Sequence, residues 1–324
     1  MSRPQDRDIS QYSEARQRQI RRQRMEARRR RRRKKRIIRD AVLLGMLLTV
    51  ILIIYGIAKL ISLLSGGNHS EKTAHVDTEP STKQQVEIDT SGFSPEYLDY
   101  YNQIKALESQ NPDVTLLYEH FEEYPTDVLD IVVKNPETAA FAADYLTKGN
   151  ITVIVDVSSY YTPGEIPHFL QWDEQWGYYR YVDNMMAVNG CGPTCLSMVV
   201  VGLTGNTNYN PKAVADLSSE KGYYSETGTS WELMTAGAAE MGVNGTAITL
   251  TEDAIREQLS NGNPIIASMG PGDFTTLGHF IVIAGIDDEG KLIVKDPNSN
   301  IRTEKHWDIQ TIISQAKNMW AYTV

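Results

Sequence analysis

The chain has 324 residues, of which 41% are hydrophobic and 23% charged, enough for one or two domains with a real core. Its two cysteines, Cys191 and Cys195, exclude a disulfide framework, and the sequence around them lacks the ligands of a structural zinc site. The net charge of −9 is unevenly distributed along the chain. Residues 1–40 carry 17 Lys and Arg against 5 Asp and Glu, whereas residues 41–324 carry 15 Lys and Arg against 36 Asp and Glu. Such asymmetry indicates that the two parts face different surroundings.

Residues 41–64 are predicted to form a transmembrane helix. The stretch from Ala41 to Ala58 is apolar and free of charge, and apolar residues resume after Lys59. Eighteen helical residues rise about 27 Å and twenty-four about 36 Å, against a hydrocarbon core of about 30 Å. A cleaved signal peptide is the less favoured alternative, because it would be shorter before its apolar core and end in a small-x-small site.

Residues 1–40 form a basic tail next to this span. Arg28 to Arg36 is an unbroken run of nine cations. Basic residues that flank a spanning helix stay on the cytoplasmic side, so we expect a single-pass protein of the cell membrane with residues 65–324 outside the cytoplasm. The position of the run favours contact with anionic lipid headgroups over binding of nucleic acid.

Two segments of different composition follow the span. Residues 65–92 are polar and contain almost nothing to bury, which predicts a flexible stalk. Residues 93–150 predict three or four short helices in a membrane-proximal region. Ser94 followed by Pro95 is typical of a helix start, and Asn135-Pro136-Glu137 opens a later helix in the same way.

Residues 151–324 are predicted to form one further domain. A helix is expected to begin at Cys191, and further short helices are expected within residues 211–217, 231–241 and 252–259. The predicted strands are residues 151–156, 264–269, 279–286, 291–296 and 317–324. Helices that precede an antiparallel sheet define an α+β fold class rather than alternating βαβ units.

Cys191 is the predicted nucleophile. It lies between two glycines, and Pro193 suits the first turn of a helix, so the thiol is expected at a helix N-terminus. The partial positive charge of that helix end stabilises a thiolate, whereas a free thiol titrates near pH 8.5. Cys195, one turn further in, fits a small buried hydrophobe. A bridge between the two is disfavoured, because side chains one turn apart are rarely oriented for it.

His279 and Asp296 are predicted to complete the nucleophilic centre. His279 begins the strand HFIVIAGI, and Asp296 ends the strand KLIVKD. In a hairpin, the start of the first strand and the end of the second lie at the same end of the sheet. Asp296 can then accept from one imidazole nitrogen while the other faces Cys191. The simpler alternative is that Asp296-Pro297-Asn298 is only a turn.

Gln171 is the candidate for a second donor to the oxyanion, beside the backbone N–H of Cys191. Its side-chain amide is a neutral donor in the segment QWDEQWG. Gln175 is a competing candidate that the sequence does not separate from it. The same segment also fits aromatic packing, with Trp172 and Trp176 in the core. This chemistry involves no cofactor and no metal.

Four motifs together resemble a known family. GCGPTC, GHFIVIAG and KDPNS, preceded by QWDEQWG, are similar to the papain-like cysteine peptidases related to bacteriocin-processing (double-glycine leader) peptidases, and in particular to exported bacterial members. The resemblance implies a papain-like fold, with a helical half that carries the nucleophile and an antiparallel sheet half. It also implies the roles of nucleophile, base, orienting residue and oxyanion donor for Cys191, His279, Asp296 and Gln171, in that order.

One departure from the transporter-linked members of that group limits what is carried over. In those enzymes the Gln lies only a few residues before the Cys and the domain faces the cytoplasm, whereas here Gln171 lies 20 residues before Cys191. The resemblance therefore does not carry over cleavage of double-glycine leaders as the activity.

The residues predict a membrane-anchored thiol peptidase that acts on extracellular peptides, proteins or cell-wall peptides. Two alternatives stay open. One is a non-catalytic module of the same fold that binds a peptide or glycan. The other is an acyl transferase that forms the same thioester, because hydrolysis and transfer differ only in whether water reaches the acyl-enzyme.

Overall fold

The computed structural model describes residues 88–151, 154–225 and 228–324. The basic tail 1–40, the transmembrane helix 41–64 and most of the predicted stalk lie outside the described residues, so they stay predictions. Among the residues that are described, no helix is both long enough and apolar enough to cross a membrane.

Short helices fill most of residues 95–148, as predicted. The Oγ of Ser94 accepts a hydrogen bond from the N–H of Tyr97 at 3.3 Å, and Pro95 occupies the first turn. A 3-10 helix kinked at His120 was not predicted. The elements are α1 Pro95–Lys105, the 3-10 helices Pro112–Glu123 and Pro136–Thr138, α2 Thr126–Lys134, α3 Ala139–Ala143 and α4 Tyr145–Lys148.

The apolar core of this helical region continues into the segment that leads to Cys191. Ile104 and Leu117 are fully buried in it, and Ala187 belongs to the same cluster. Phe141 stacks on Tyr178 with 4.2 Å between the ring centroids. The helical region therefore packs directly on the chain just ahead of the candidate nucleophile.

The strand predicted at residues 151–156 is wrong for the described residues of that segment, 151 and 154–156. Ile151 and Ile154 are 61% and 92% exposed, and residues 154–157 have no regular structure. These described residues join none of the three sheets of the described chain. A run of β-branched residues makes a strand only where a neighbouring strand satisfies its backbone, and among the described residues 151 and 154–156 only Val155 packs, partly buried, against the core.

The helix predicted at Cys191 is confirmed. It is buried from Gly192 to Val201, ends at Thr204 and is capped by Gly205, whose φ of +74° is the left-handed conformation that favours glycine after a helix. The elements of this part are β1 Arg180–Tyr181, β2 Asn184–Met185, α5 Met186–Asn189, α6 Cys191–Thr204, α7 Pro211–Lys221, β3 Tyr224–Ser225, β4 Gly228–Thr229, the 3-10 helix Trp231–Met234 and α8 Ala236–Glu240.

A six-stranded antiparallel sheet follows, with strand order β5-β10-β6-β7-β8-β9. The strands predicted from residue 264 onward are confirmed as β6, β7, β8 and β10, whereas β5 and β9 were not predicted. The elements are β5 Asn244–Ile248, α9 Glu252–Ser260, β6 Ile265–Met269, β7 His279–Ile286, β8 Leu292–Lys295, α10 Asn300–Glu304, β9 His306–Trp307, α11 Ile309–Gln315 and β10 Ala316–Thr323. This is the predicted α+β order, with helices before an antiparallel sheet.

The sheet buries side chains on both faces. On one face, Val282 and Trp320 pack in the same cluster as Val200 of α6. On the other face, Ile281 packs in a cluster that includes Ile312 of α11. Strand β7 therefore lies against α6, which brings the first residues of these two elements to one place.

Candidate active site

Cys191 is the first residue of α6 and is half-buried, whereas Cys195 is fully buried. Both are free thiols. Burial raises the pKa of the Cys195 thiol well above its ordinary value, so this group stays protonated and out of contact with solvent. Of the two thiols, Cys191 alone is accessible at a helix N-terminus.

Close packing around the start of α6 explains a glycine in the motif. A Cβ on Gly192 would lie 2.7 Å from the side chain of Thr229, which is in β4. Tyr181 extends this contact, because its hydroxyl lies 3.1 Å from Thr229 Oγ1 and 2.8 Å from Ser218 Oγ. The strand β4 thus passes directly beside the residue that follows Cys191.

His279 links Cys191 to Asp296. Its Nε2 lies 2.7 Å from Asp296 Oδ1, and its side chain also hydrogen-bonds to Cys191. Burial by itself would lower the pKa of His279, but the charge and hydrogen bond of Asp296 and the hydrogen bond with Cys191 outweigh it. The pKa of His279 is raised to about 9, which favours the imidazolium form at neutral pH.

Asp296 is fully buried and uses both carboxylate oxygens. Besides His279, Oδ1 accepts from the N–H of Asn298 at 2.8 Å. Oδ2 accepts from Arg302 Nε at 2.5 Å. Burial would raise the pKa of Asp296, but the positive charges and hydrogen bonds of His279 and Arg302 lower it, so the group is a carboxylate.

Two residues of this site were missed by sequence reasoning. Arg302 lies six residues beyond Asp296, and His168 lies only three residues before Gln171. His168 Nε2 donates to the backbone carbonyl of Asp296 at 2.7 Å, and burial lowers the pKa of His168. A neutral His168 thus holds the backbone of Asp296 from one side while Arg302 holds its carboxylate.

No group of three His, Cys, Asp or Glu side chains within the described ranges is placed to hold a metal ion.

Gln171 is buried beside the turn that precedes Cys191. Its Nε2 donates to the carbonyl of Ala187 at 2.6 Å, and its backbone N–H donates to the carbonyl of Pro297 at 2.6 Å. The Oε1 atom of Gln171 is buried without a hydrogen-bond partner. Gln175 instead accepts from the N–H of Asp156 at 3.0 Å. The two candidates therefore lie in different surroundings, and the structure brings Gln171 to Ala187 in α5, the short helix that precedes Cys191.

The described residues thus define an α+β domain with a buried helix that begins in an accessible thiol. Residues 163–324 match the model of the Peptidase_C39 like family, and the chain belongs to that family. Membership indicates a cysteine peptidase whose substrates are peptides. The matched range includes Gln171, Cys191, His279 and Asp296, and it does not include the helical region 95–148. No curated protein matches the chain.

Proposed function

We propose that this chain is a thiol peptidase of papain-like fold, with Cys191, His279 and Asp296 as its catalytic triad. The observation that supports this most is the place of His279, whose Nε2 is bound to Asp296 so that Nδ1 is the nitrogen left to face Cys191. A thiol paired with a base, which a third group orients, is the arrangement that an activated nucleophile needs. Membership of the peptidase family supports the same proposal.

The first half of the reaction follows from these positions. The Cys191 thiolate attacks the carbonyl carbon of a peptide bond, and the carbonyl oxygen becomes an oxyanion. The backbone N–H of Cys191 and the second Nε2 hydrogen of Gln171 are the proposed donors to that oxyanion. The imidazolium of His279 then gives its Nδ1 proton to the leaving amine, the carbon–nitrogen bond breaks, and a thioester to Cys191 remains.

The second half of the reaction returns the enzyme to its starting state. The now neutral His279 takes a proton from a water molecule, whose oxygen attacks the thioester carbonyl. The carbon–sulfur bond breaks, the product leaves as a carboxylic acid, and the thiolate–imidazolium pair forms again. Asp296 keeps its negative charge throughout and stabilises the imidazolium.

Alkylation by iodoacetamide between pH 5 and 9 tests the activated thiol in the purified full-length chain. We expect reaction to persist below pH 7, to vanish in Cys191→Ala, and to lose its low-pH component in His279→Ala. Cys195→Ala is the matched control and should behave as the parent chain. A thiol that reacts as a free one near pH 8.5 would support the binding module in place of the enzyme.

Product analysis separates hydrolysis from acyl transfer. The chain is incubated with a peptide mixture, with and without an added amine, and the products are weighed by mass spectrometry. Hydrolysis yields free carboxyl termini that depend on Cys191. A product that carries the amine in preference to water would assign the acyl transferase instead.

We also propose that this enzyme lies on the outer side of the cell membrane, anchored by residues 41–64. The support is the uncharged apolar run together with the cations of Arg28 to Arg36. In a chain that lacks Cys191 and Cys195, single cysteines introduced as Ser81→Cys and Ser13→Cys report the topology. A membrane-impermeant maleimide applied to intact cells should label the first and spare the second, and the opposite pattern would reverse the orientation.

A further inference from the structure

The loop after β8 carries Asp296, and side chains from the helical region hold that loop. The carboxylate of Glu137 accepts from the hydroxyl of Ser299, and it also accepts from the N–H of Asn300 at 2.8 Å and of Ile301 at 3.3 Å. All three donors lie at the beginning of α10. Glu137 therefore joins the helical region to the chain immediately beyond Asp296.

Asn135 makes a second contact to the same loop. Its Nδ2 donates to the carbonyl of Asn298 at 2.5 Å, and its Oδ1 accepts from the N–H of Glu137 at 3.1 Å. Asn135 is buried, and its own carbonyl accepts from Thr138 Oγ1 at 2.8 Å. Because Asn111 Nδ2 also donates to the carbonyl of Pro136 at 2.7 Å, the turn that carries Asn135 and Glu137 is itself held in place.

From Glu137, the contacts continue to the carboxylate of Asp296. Ser299 Oγ, which donates to Glu137, accepts from the N–H of Arg302 at 3.0 Å. Arg302 in turn binds Asp296 Oδ2 through Nε. The position of the carboxylate that faces His279 thus depends on residues more than one hundred and fifty positions earlier in the chain.

We propose that Asn135 and Glu137 are positioning residues of the active site, so that the helical region 95–148 is part of the working enzyme although the family match does not include it. This inference rests on the proposed triad. Misplacement of a reacting group by about 1 Å can cost on the order of 100-fold in rate. Without the Glu137 carboxylate, Ser299 and two backbone N–H groups lose their acceptor, and the loop is no longer fixed relative to His279.

Alkylation of Cys191 in the full-length chain tests this inference with the variant Glu137→Gln. Gln keeps the size of Glu but has one acceptor oxygen instead of two, so it cannot accept from Ser299 Oγ on one oxygen and from the N–H groups of α10 on the other. Glu123→Gln is the matched control, because Glu123 lies in the same region, is exposed and contacts only His120 among the contacts described for it. We expect the rate at pH 6 to fall about ten-fold in Glu137→Gln and to be unchanged in the control.

The pH profile separates positioning from a general loss of structure. At pH 6 the thiolate depends on an oriented imidazolium, whereas at pH 9 a thiol ionises without it. A positioning role therefore lowers the rate at pH 6 and leaves the rate at pH 9 close to that of the parent chain. A change in the exposure of Cys191 would alter both rates by the same factor, and that result would overturn the inference.

A double-mutant comparison identifies Asp296 as the intermediary. If Glu137 acts through Asp296, adding Glu137→Gln to Asp296→Asn should change the rate at pH 6 by less than about two-fold. A full ten-fold effect in that background would overturn the inference. Ser299→Ala removes one hydroxyl of the same pathway and should reproduce the loss at pH 6, so the outcome does not depend on whether the Glu137 variant folds.

The inference and the proposed function fail in different ways. If the parent chain alkylates as a free thiol, the triad itself is wrong. If the parent chain reacts below pH 7 while Glu137→Gln and Ser299→Ala react equally fast, with unchanged near-ultraviolet circular dichroism, the triad stands and the positioning role is wrong.

Discussion

Arg302 Nε binds Asp296 Oδ2 at 2.5 Å, on the oxygen opposite to the one that His279 uses. Asp296 is fully buried, and a buried carboxylate is stable only where charge and hydrogen bonds compensate for the lost water. The guanidinium supplies a permanent charge, whereas the imidazole supplies one only when protonated. Arg302 therefore keeps Asp296 ionised at every stage of the proposed reaction, in which His279 gives up its proton.

Replacement of Arg302 by Gln tests this charge balance. Because Arg302→Gln leaves the buried carboxylate without its permanent cation, the free energy of unfolding at pH 7 should fall by about 3 kcal/mol. The pKa of Asp296 should move upward towards its usual range. Urea unfolding measures the loss, and Lys134→Gln is the control because it removes an exposed cation paired with Asp130, a contact worth less than about 1 kcal/mol. Equal losses of unfolding free energy in Arg302→Gln and Lys134→Gln would contradict the role of Arg302 as the cation that compensates the buried carboxylate.

The raised pKa of His279 predicts opposite pH behaviour for two reactions. Hydrolysis needs the imidazolium to protonate the leaving amine, so kcat/KM for a peptide should fall as pH rises through about 9, the pKa of His279. Alkylation needs only the thiolate and should not fall there. In Asp296→Asn the carboxylate charge is gone, so the decline in kcat/KM should move to lower pH. If kcat/KM declines at the same pH in the parent chain and in Asp296→Asn, the decline reports a group other than His279.

The same pKa shift predicts how stability depends on pH. The value in the folded chain lies above the ordinary value of 6.5, so the folded state binds the proton more tightly and is stabilised where His279 is charged. This contribution is complete below about pH 6.5 and is lost as pH rises through about 9. Since one pKa unit corresponds to about 1.4 kcal/mol, the free energy of unfolding should drop by about 3 kcal/mol over that window. Urea unfolding at pH 6 and pH 9.5 measures this drop, which should shrink in His279→Gln.

Periodicity and hairpin geometry are local properties, and they account for what the sequence predicted well. The α6 helix follows from its apolar run, and the meeting of His279 with Asp296 follows from two strands joined by a short turn. The strand predicted at residues 151–156 failed for the complementary reason. Its run of β-branched residues is typical of a true strand, but strand formation depends on partners elsewhere in the chain.

The sequence did not predict the contacts between segments that are distant along the chain. Nothing in the spacing of Glu137 and Ser299 marks them as partners, because neither belongs to a repeating pattern and the fold alone brings them together. Arg302 was similarly hidden, since a lone Arg after a turn is more often a solvated side chain. His168 was overlooked although it precedes Gln171 by three residues, and its proximity to the aromatic segment was the available signal.

Substitution of the two glutamines tests the oxyanion donor. Gln171→Ala should lower kcat about 100-fold or more with little change in KM, because a donor to the oxyanion acts only in the transition state. Gln175→Ala should leave kcat close to that of the parent chain, since Gln175 contacts Asp156. Steady-state kinetics on one peptide substrate measures both, and thermal unfolding confirms that each variant is folded. A larger loss for Gln175→Ala would reverse the assignment.

The close approach of β4 to the start of α6 predicts a rescue. Gly192→Ala places a Cβ about 2.7 Å from Thr229, closer than carbon atoms tolerate, so either the helix start or β4 must shift. The free energy of unfolding should fall by about 1–3 kcal/mol, and the alkylation rate of Cys191 should change with it. Thr229→Ala removes the two nearest crowding atoms, Cγ2 and Oγ1, and keeps the Cβ, which would lie 2.8 Å away. It should therefore restore part of both quantities in the double variant, although it costs the contact to Tyr181. If the double variant instead loses as much free energy of unfolding as the two single variants together, the crowding at Thr229 is not the reason for the glycine beside Cys191.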